Sequence, residues 1–179
     1  ALSLYPMDLF AAQALTLSIQ RYGQNERTLF SFLEATGQGS LQSFVEGKHT
    51  TYSLADVYDY DIYNFYSYLS EINADSAAWT SIRVSLERVE GLFEGDIATA
   101  AIALVKTIGM INLFGKAGVQ LDKKALSIYA RAALGINTPG DIIDLLTQHT
   151  IIRYATYKSQ FILFEGTDVN IEGELLKAT

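Results

Sequence analysis

Three carboxylates stand close together at Asp56, Asp59 and Asp61, the densest cluster of potentially reactive side chains in this sequence. Asp56 and Asp59, three residues apart, share one face of a helix, where two acids can hold a divalent cation or divide acid and base roles. The competing reading is electrostatic, because the helix macrodipole favours acids in the first turn; the position of these residues just after Ser53 favours that reading. The two histidines, His49 and His149, have no partner at metal-ligand spacing. They read as a loop residue and a helix-end residue near a C-terminal dipole. No cysteine is present, which removes disulfides, thiol nucleophiles and cysteine-bound zinc and agrees with a reducing, cytoplasmic setting. A Gly-x-Ser-x-Gly elbow is missing. A phosphate-binding loop needs Gly-x-x-x-x-Gly-Lys-Ser/Thr, but Gly47-Lys48 is followed by His49 and Gly115-Lys116 by Ala117, and neither has the upstream glycine. This chain is therefore expected to have no catalytic machinery, metal or cofactor of its own.

Composition narrows the classes further. Half of the 179 residues are hydrophobic, and 18% are charged, below the roughly 25% usual for soluble domains. A surface so poor in charge implies that part of it is covered, by more of the same protein or by a second copy. The net charge of −7 argues against nucleic acid as the main partner, since gripping phosphates takes a basic face. No signal peptide or initiator methionine opens the sequence, and the chain reads as part of a larger protein. Ile97 to Phe114 is nearly continuous in apolar residues, but Lys106 interrupts it and no positive cluster flanks it. It is read as the buried centre of a domain, with no membrane partner expected.

The elements that position these residues follow from periodicity and punctuation. Met7 to Tyr22 reads as a helix opened by Pro6 and closed by Gly23. Glu26 to Ala35 follows, capped by Asn25, with Leu29, Phe30, Phe32 and Leu33 as core. Ser40 caps one short turn. Ser53 caps a long helix, Leu54 to Ile72, whose stripe is Leu54, Tyr58, Ile62, Phe65, Leu69 and Ile72. Off that stripe lie Tyr60, Tyr63, Tyr66 and Tyr68, enough aromatic surface to suggest a second covered side. Ser76 to Phe93 presents Trp79, Ile82, Leu86, Val89 and Phe93 on one face and Arg83, Glu87, Arg88 and Glu90 mostly to solvent. After the central helix, Asp122 caps a helix to Leu134, Gly135 stops it, and Thr138-Pro139 opens another to about His149. Two β-type runs, 151–156 and 160–164, join through a tight turn at 157–159. A last short helix is expected near 171–178. Three helices followed by a hairpin is the order of a winged helix.

Two stretches carry a resemblance. Leu4-Tyr5-Pro6 with Tyr22-Gly23-Gln24-Asn25-Glu26-Arg27-Thr28-Leu29-Phe30-Ser31-Phe32-Leu33 resembles a segment that follows the nucleotide-binding core of large bacterial P-loop (AAA-like) ATPases, although Tyr5 stands where histidine is common. Ile151-Ile152-Arg153-Tyr154 with Phe161 to Glu172 is similar to the winged-helix hairpin of the same proteins. The resemblance implies that ATP and Mg are bound by the rest of the parent chain, in a bacterial defence or DNA-processing setting. It also makes Asn25, Glu26 and Arg27 a nucleotide-sensing candidate. There Arg27 would neutralise charge on a transferred phosphoryl group, or, in the plainer alternative, Glu26 and Arg27 pair with neighbours and cap their helix.

The fold expected is mostly α, a helical lid-like bundle over 1–93 followed by a winged-helix-like domain over 94–179. Its expected role is regulatory: coupling nucleotide state to a partner through the remainder of its own ATPase chain or through self-association. The partner-binding candidates are Tyr58, Tyr60, Tyr63, Tyr66 and Tyr68. The rival is a stand-alone winged-helix DNA-binding regulator, which would need a positive face from Lys123, Lys124, Arg131, Arg153 and Lys158. Against it, the third helix offers Asp141 and Asp144 where phosphates would lie.

Overall fold

The computed structural model describes residues 5–23, 26–34, 39–47, 51–116 and 118–164. These form eight helices and a hairpin: α1 (Leu9–Tyr22), α2 (Glu26–Glu34), α3 (Leu41–Glu46), α4 (Leu54–Leu69), α5 (Ser76–Leu92), α6 (Gly95–Phe114), α7 (Lys123–Ala133), α8 (Pro139–Gln148), β1 (Ile152–Ala155) and β2 (Gln160–Leu163). The mostly helical class and the antiparallel hairpin agree with the sequence reading. The helix expected at 171–178 lies outside the described residues.

Helix α6 is the axis of the fold. Among the described residues it is the one helix long and apolar enough to cross a membrane, and here it packs on α1, α4, α5, α8 and β2. Leu104, Val105, Ile108 and Met110 are wholly buried. Gly109 lets α5 approach closely, since a Cβ there would stand 2.5 Å from the Ile82 side chain. Lys106 is reconciled with this apolar helix by its partners: its Nζ meets Asp59 Oδ1 at 2.6 Å and sits 5.5 Å from the centre of the Tyr58 ring. The hydrophobic core is continuous, running from Ala11 on α1 through α4, α5 and α6 to Leu163 on β2. Glu94-Gly95 is the corner between two helices packed along each other.

Caps place the helices. Ser40 and Asp122 accept backbone N–H bonds as the expected caps of α3 and α7. The α7 exit at Gly135, with φ +66°, lets the Ile136 N–H reach back to the Ala130 carbonyl. At α1 the sequence reading is corrected. Asp8, not Pro6, opens the helix, its Oδ1 accepting from the N–H of Phe10 and Ala11. Its Oδ2 accepts from the Tyr129 hydroxyl at 2.7 Å, and that hydroxyl accepts the Leu54 N–H at 2.9 Å. One carboxylate and one phenol thus join the starts of α1 and α4 to α7. Burial, with Asp8 adjacent, holds the Tyr129 phenol far above its ordinary range.

The three-helix stretch α6 to α8 ends in the hairpin. Ile152 pairs with Leu163 and Ala155 with Gln160; the alternation turns Ile152, Phe161 and Leu163 to one buried face, and Ala155, on the other face, is buried as well. Asn112 on α6 donates from Nδ2 to the Phe161 carbonyl and accepts the Leu163 N–H at Oδ1. Leu121, just before α7, pairs with the start of β2: its N–H donates to the Ser159 carbonyl and its own carbonyl accepts from the Phe161 N–H. Arg88, read from sequence as solvent-facing, instead donates to the carbonyls of His149 and Thr150 at the end of α8. Those carbonyls lack helical partners and carry the negative end of the dipole, which is why a distant arginine finds them.

Asp61 is fully buried between α4 and α1. Its Oδ1 lies 2.9 Å from Ser18 Oγ, which also lies 3.0 Å from the Leu15 carbonyl. Ser18 has a single hydroxyl hydrogen. A protonated Asp61 donating to Ser18, which in turn donates to Leu15, uses each hydrogen once. Burial raises the Asp61 carboxyl well above its ordinary value, against the lowering effect of Ser18. A raised folded pKa gives stability that is complete below the unfolded value of about 3.9 and is lost as pH rises toward the folded one. Asp61→Asn keeps a donor and removes the ionisation. Its thermal midpoint is expected to exceed the wild type at pH 8, with the difference shrinking toward pH 4; parallel curves across that range would show an ionised Asp61 at neutral pH.

Candidate interaction surface

The carboxylates that looked like a site have three separate tasks. Asp56 Oδ2 accepts the Ser53 backbone N–H at 2.7 Å and the Ser53 hydroxyl at 2.8 Å, closing the start of α4. Asp59 pairs with Lys106, and Asp61 lies inside. Among the described residues no three His, Cys, Asp or Glu side chains gather as a metal site. His149 ends α8 with its ring edge-on to Phe93 at 5.3 Å; His49 lies outside the described residues.

The tyrosines of α4 divide. Tyr58 and Tyr60 are buried, Tyr58 against Trp79 and Tyr60 against Phe32. As partner-binding candidates these two are withdrawn, because their rings belong to the core. Their phenols are pushed up to about 12, in both cases chiefly by burial. Tyr63, Tyr66 and Tyr68 face outward, at 60, 67 and 43% exposure. Tyr68 still touches the Tyr22 ring. Ile72, expected on the apolar stripe, lies beyond the end of α4 and is fully exposed.

Helix α2 gives the second correction. Of its four large apolar residues only Phe32 is buried, at 1%, while Leu29, Phe30 and Leu33 are 44, 58 and 44% exposed. At 100° per residue, Leu29, Phe30 and Leu33 fall on one arc and Phe32 off it. That arc was legible in the sequence as a second apolar face, and sequence reasoning assigned it to the core. Val45 on α3 adds 56% exposure. This apolar surface has no cover from the described residues.

Glu26 and Arg27 form the first turn of α2; Asn25 lies outside the described residues. Thr28 and Ser31 of that helix line a cleft of about 360 Å³ whose other wall is Tyr60, Asn64 and Phe65 of α4 and whose end is Tyr22-Gly23. The end wall is rigidly built. The Tyr22 hydroxyl donates to Asp75 Oδ2 at 2.7 Å and accepts from Trp79 Nε1 at 3.1 Å. Arg21 meets the same carboxylate oxygen at 3.2 Å and lies over the Phe114 ring. Burial, reinforced by Asp75, holds the Tyr22 phenol above its ordinary range. This arrangement is a positioned cleft edge next to an uncovered apolar helix.

The basic residues needed for a DNA-reading face are scattered over several elements. Arg131 lies exposed on α7 and Lys158 in the hairpin turn near the Tyr157 ring, whereas Arg153 on β1 is half-buried. Lys123 is held at 2.6 Å by Asp144 of α8, so the helix that would enter the groove presents Asp141 outward and ties up a neighbouring cation. Compared with protein-family models, curated proteins and solved structures, the chain matches none.

Proposed function

We propose that this chain is the non-catalytic regulatory and interaction part of a larger cytoplasmic P-loop ATPase, coupling nucleotide state in the core to a partner. The observation that carries this reading is the uncovered apolar arc of α2, Leu29, Phe30 and Leu33, within the stretch that resembles the segment following such a core. A nine-residue helix that turns three large apolar side chains outward is explained by a surface that covers them. On this reading the cover is the ATPase core of the same chain. On this reading Arg27, in the first turn of that helix, is the nucleotide-sensing residue.

The second half supports a winged helix. A helix, a short pairing segment at Leu121, two helices and a hairpin follow in that order, with Leu121 bonded to β2. Its use for protein packing fits the acidic outer face of α8 better than DNA does. Reading the gene upstream of the Ala1 codon tests the whole proposal. A continuous frame containing Gly-x-x-x-x-Gly-Lys-Ser/Thr is the expected result; a start codon immediately before Ala1 would overturn it.

A further inference from the structure

A deep apolar cavity lies on a different part of the molecule, between α1, the end of α6 and α7, with a volume of about 430 Å³. Its floor is Ala14, Leu54, Met110 and Leu121, all at most 5% exposed. An open apolar pocket of this size falls among ligand sites, which start at about 300 Å³ and combine apolar walls with a few polar groups. Apart from Tyr129, whose hydroxyl is taken up by Asp8 and the Leu54 N–H, the polar lining side chains are Gln13, Gln120 and Lys116. Lys116 is exposed, and among the described residues no acid pairs with it.

The Asp8–Tyr129–Leu54 junction ties three elements around the cavity to one another. Tyr129 and Leu54 both line the cavity, and Asp8 anchors α1 at its edge. Hydrogen bonds between α1, α4 and α7 thus set these walls relative to one another. We propose that the cavity binds an aliphatic chain of medium length ending in a carboxylate, the chain filling the apolar interior and the carboxylate meeting Lys116 at the rim. An apolar interior selects for methylene groups, and a lone rim cation in a chain of net charge −7 selects for an anion at that one end.

Titration calorimetry with hexanoate, octanoate and decanoate, each below its micelle concentration, tests this, with 1-decanol as the uncharged counterpart. Each added methylene is expected to tighten binding about fourfold, and decanoate to bind more tightly than decanol. Lys116→Met removes the preference for the acid and leaves decanol affinity unchanged. Ile128→Glu, at an exposed position on the cavity lip, weakens decanoate at least tenfold at unchanged melting temperature. Affinity independent of chain length, decanoate binding indifferent to both variants, or no binding at all would each overturn the assignment.

Discussion

Phe32→Ala is expected to release α2 from the rest of the molecule. The ring is 1% exposed and packs edge-on against Tyr60 at 5.0 Å and Tyr52 at 5.5 Å. Removing a buried phenylalanine side chain costs about 3–5 kcal/mol, a factor of at least about a hundred in the docking equilibrium. A helix of nine residues cannot persist in water without tertiary support, and the opposite arc of α2 is apolar but uncovered. Hydrogen exchange should show α2 amides losing protection by that factor while α5 and α6 keep theirs. Protection retained in α2, or lost equally everywhere, would mean that the helix is held by something other than this one ring.

That Phe32 is the buried one of the four large apolar residues of α2 was not visible in the sequence, and the reason is physical. Apolar spacing reports which residues share a face but not whether the face has anything to lie against. In α5 the apolar stripe found neighbours, so stripe and core coincide at Trp79, Ile82 and Val89, and the continuously apolar α6 is buried at Leu104 and Ile108. In α2 the same kind of pattern meets open space. Tyr60 shows the converse: it lies off the α4 stripe and is nonetheless buried by Phe32, a residue 28 positions earlier.

Local signals fared best where the chemistry is local. Ser40, Asp122, Gly135 and Pro139 mark helix ends through bonds or dihedral limits within a few residues, and all four stand at the ends they announced. Asp8 is equally legible, an acid immediately before an apolar run, but Pro6 two residues earlier offers a competing start signal. Arg88 on the α8 carbonyls, Asn112 on the hairpin and Asp61 against Ser18 depend on segments brought together only by the fold. No spacing rule reaches 61 residues along the chain. The apolar cavity belongs to the same class: its wall residues read as ordinary core positions, and a void has no sequence signature.

The largest effect expected on function follows from the head of α2. On the ATPase reading proposed above, Arg27→Ala in the full-length protein is expected to lower kcat about 100- to 1,000-fold while ATP affinity changes little. A fixed cation that meets charge developing on the transferred phosphoryl group acts mainly in the transition state, and losing one such donor costs roughly this much. Arg27→Lys should recover only part of it, because an ammonium cannot reproduce the planar two-pronged contact of a guanidinium. Phe32→Ala provides an internal check, since an arginine on an undocked helix cannot be held in place; it should lower kcat with Arg27 intact, and the double variant should lose little more than Arg27→Ala alone. Independent, additive losses would separate the arginine from the docking of its helix. A kcat within a few-fold of wild type for Arg27→Ala would leave that residue its plainer role, pairing with neighbours at the start of α2.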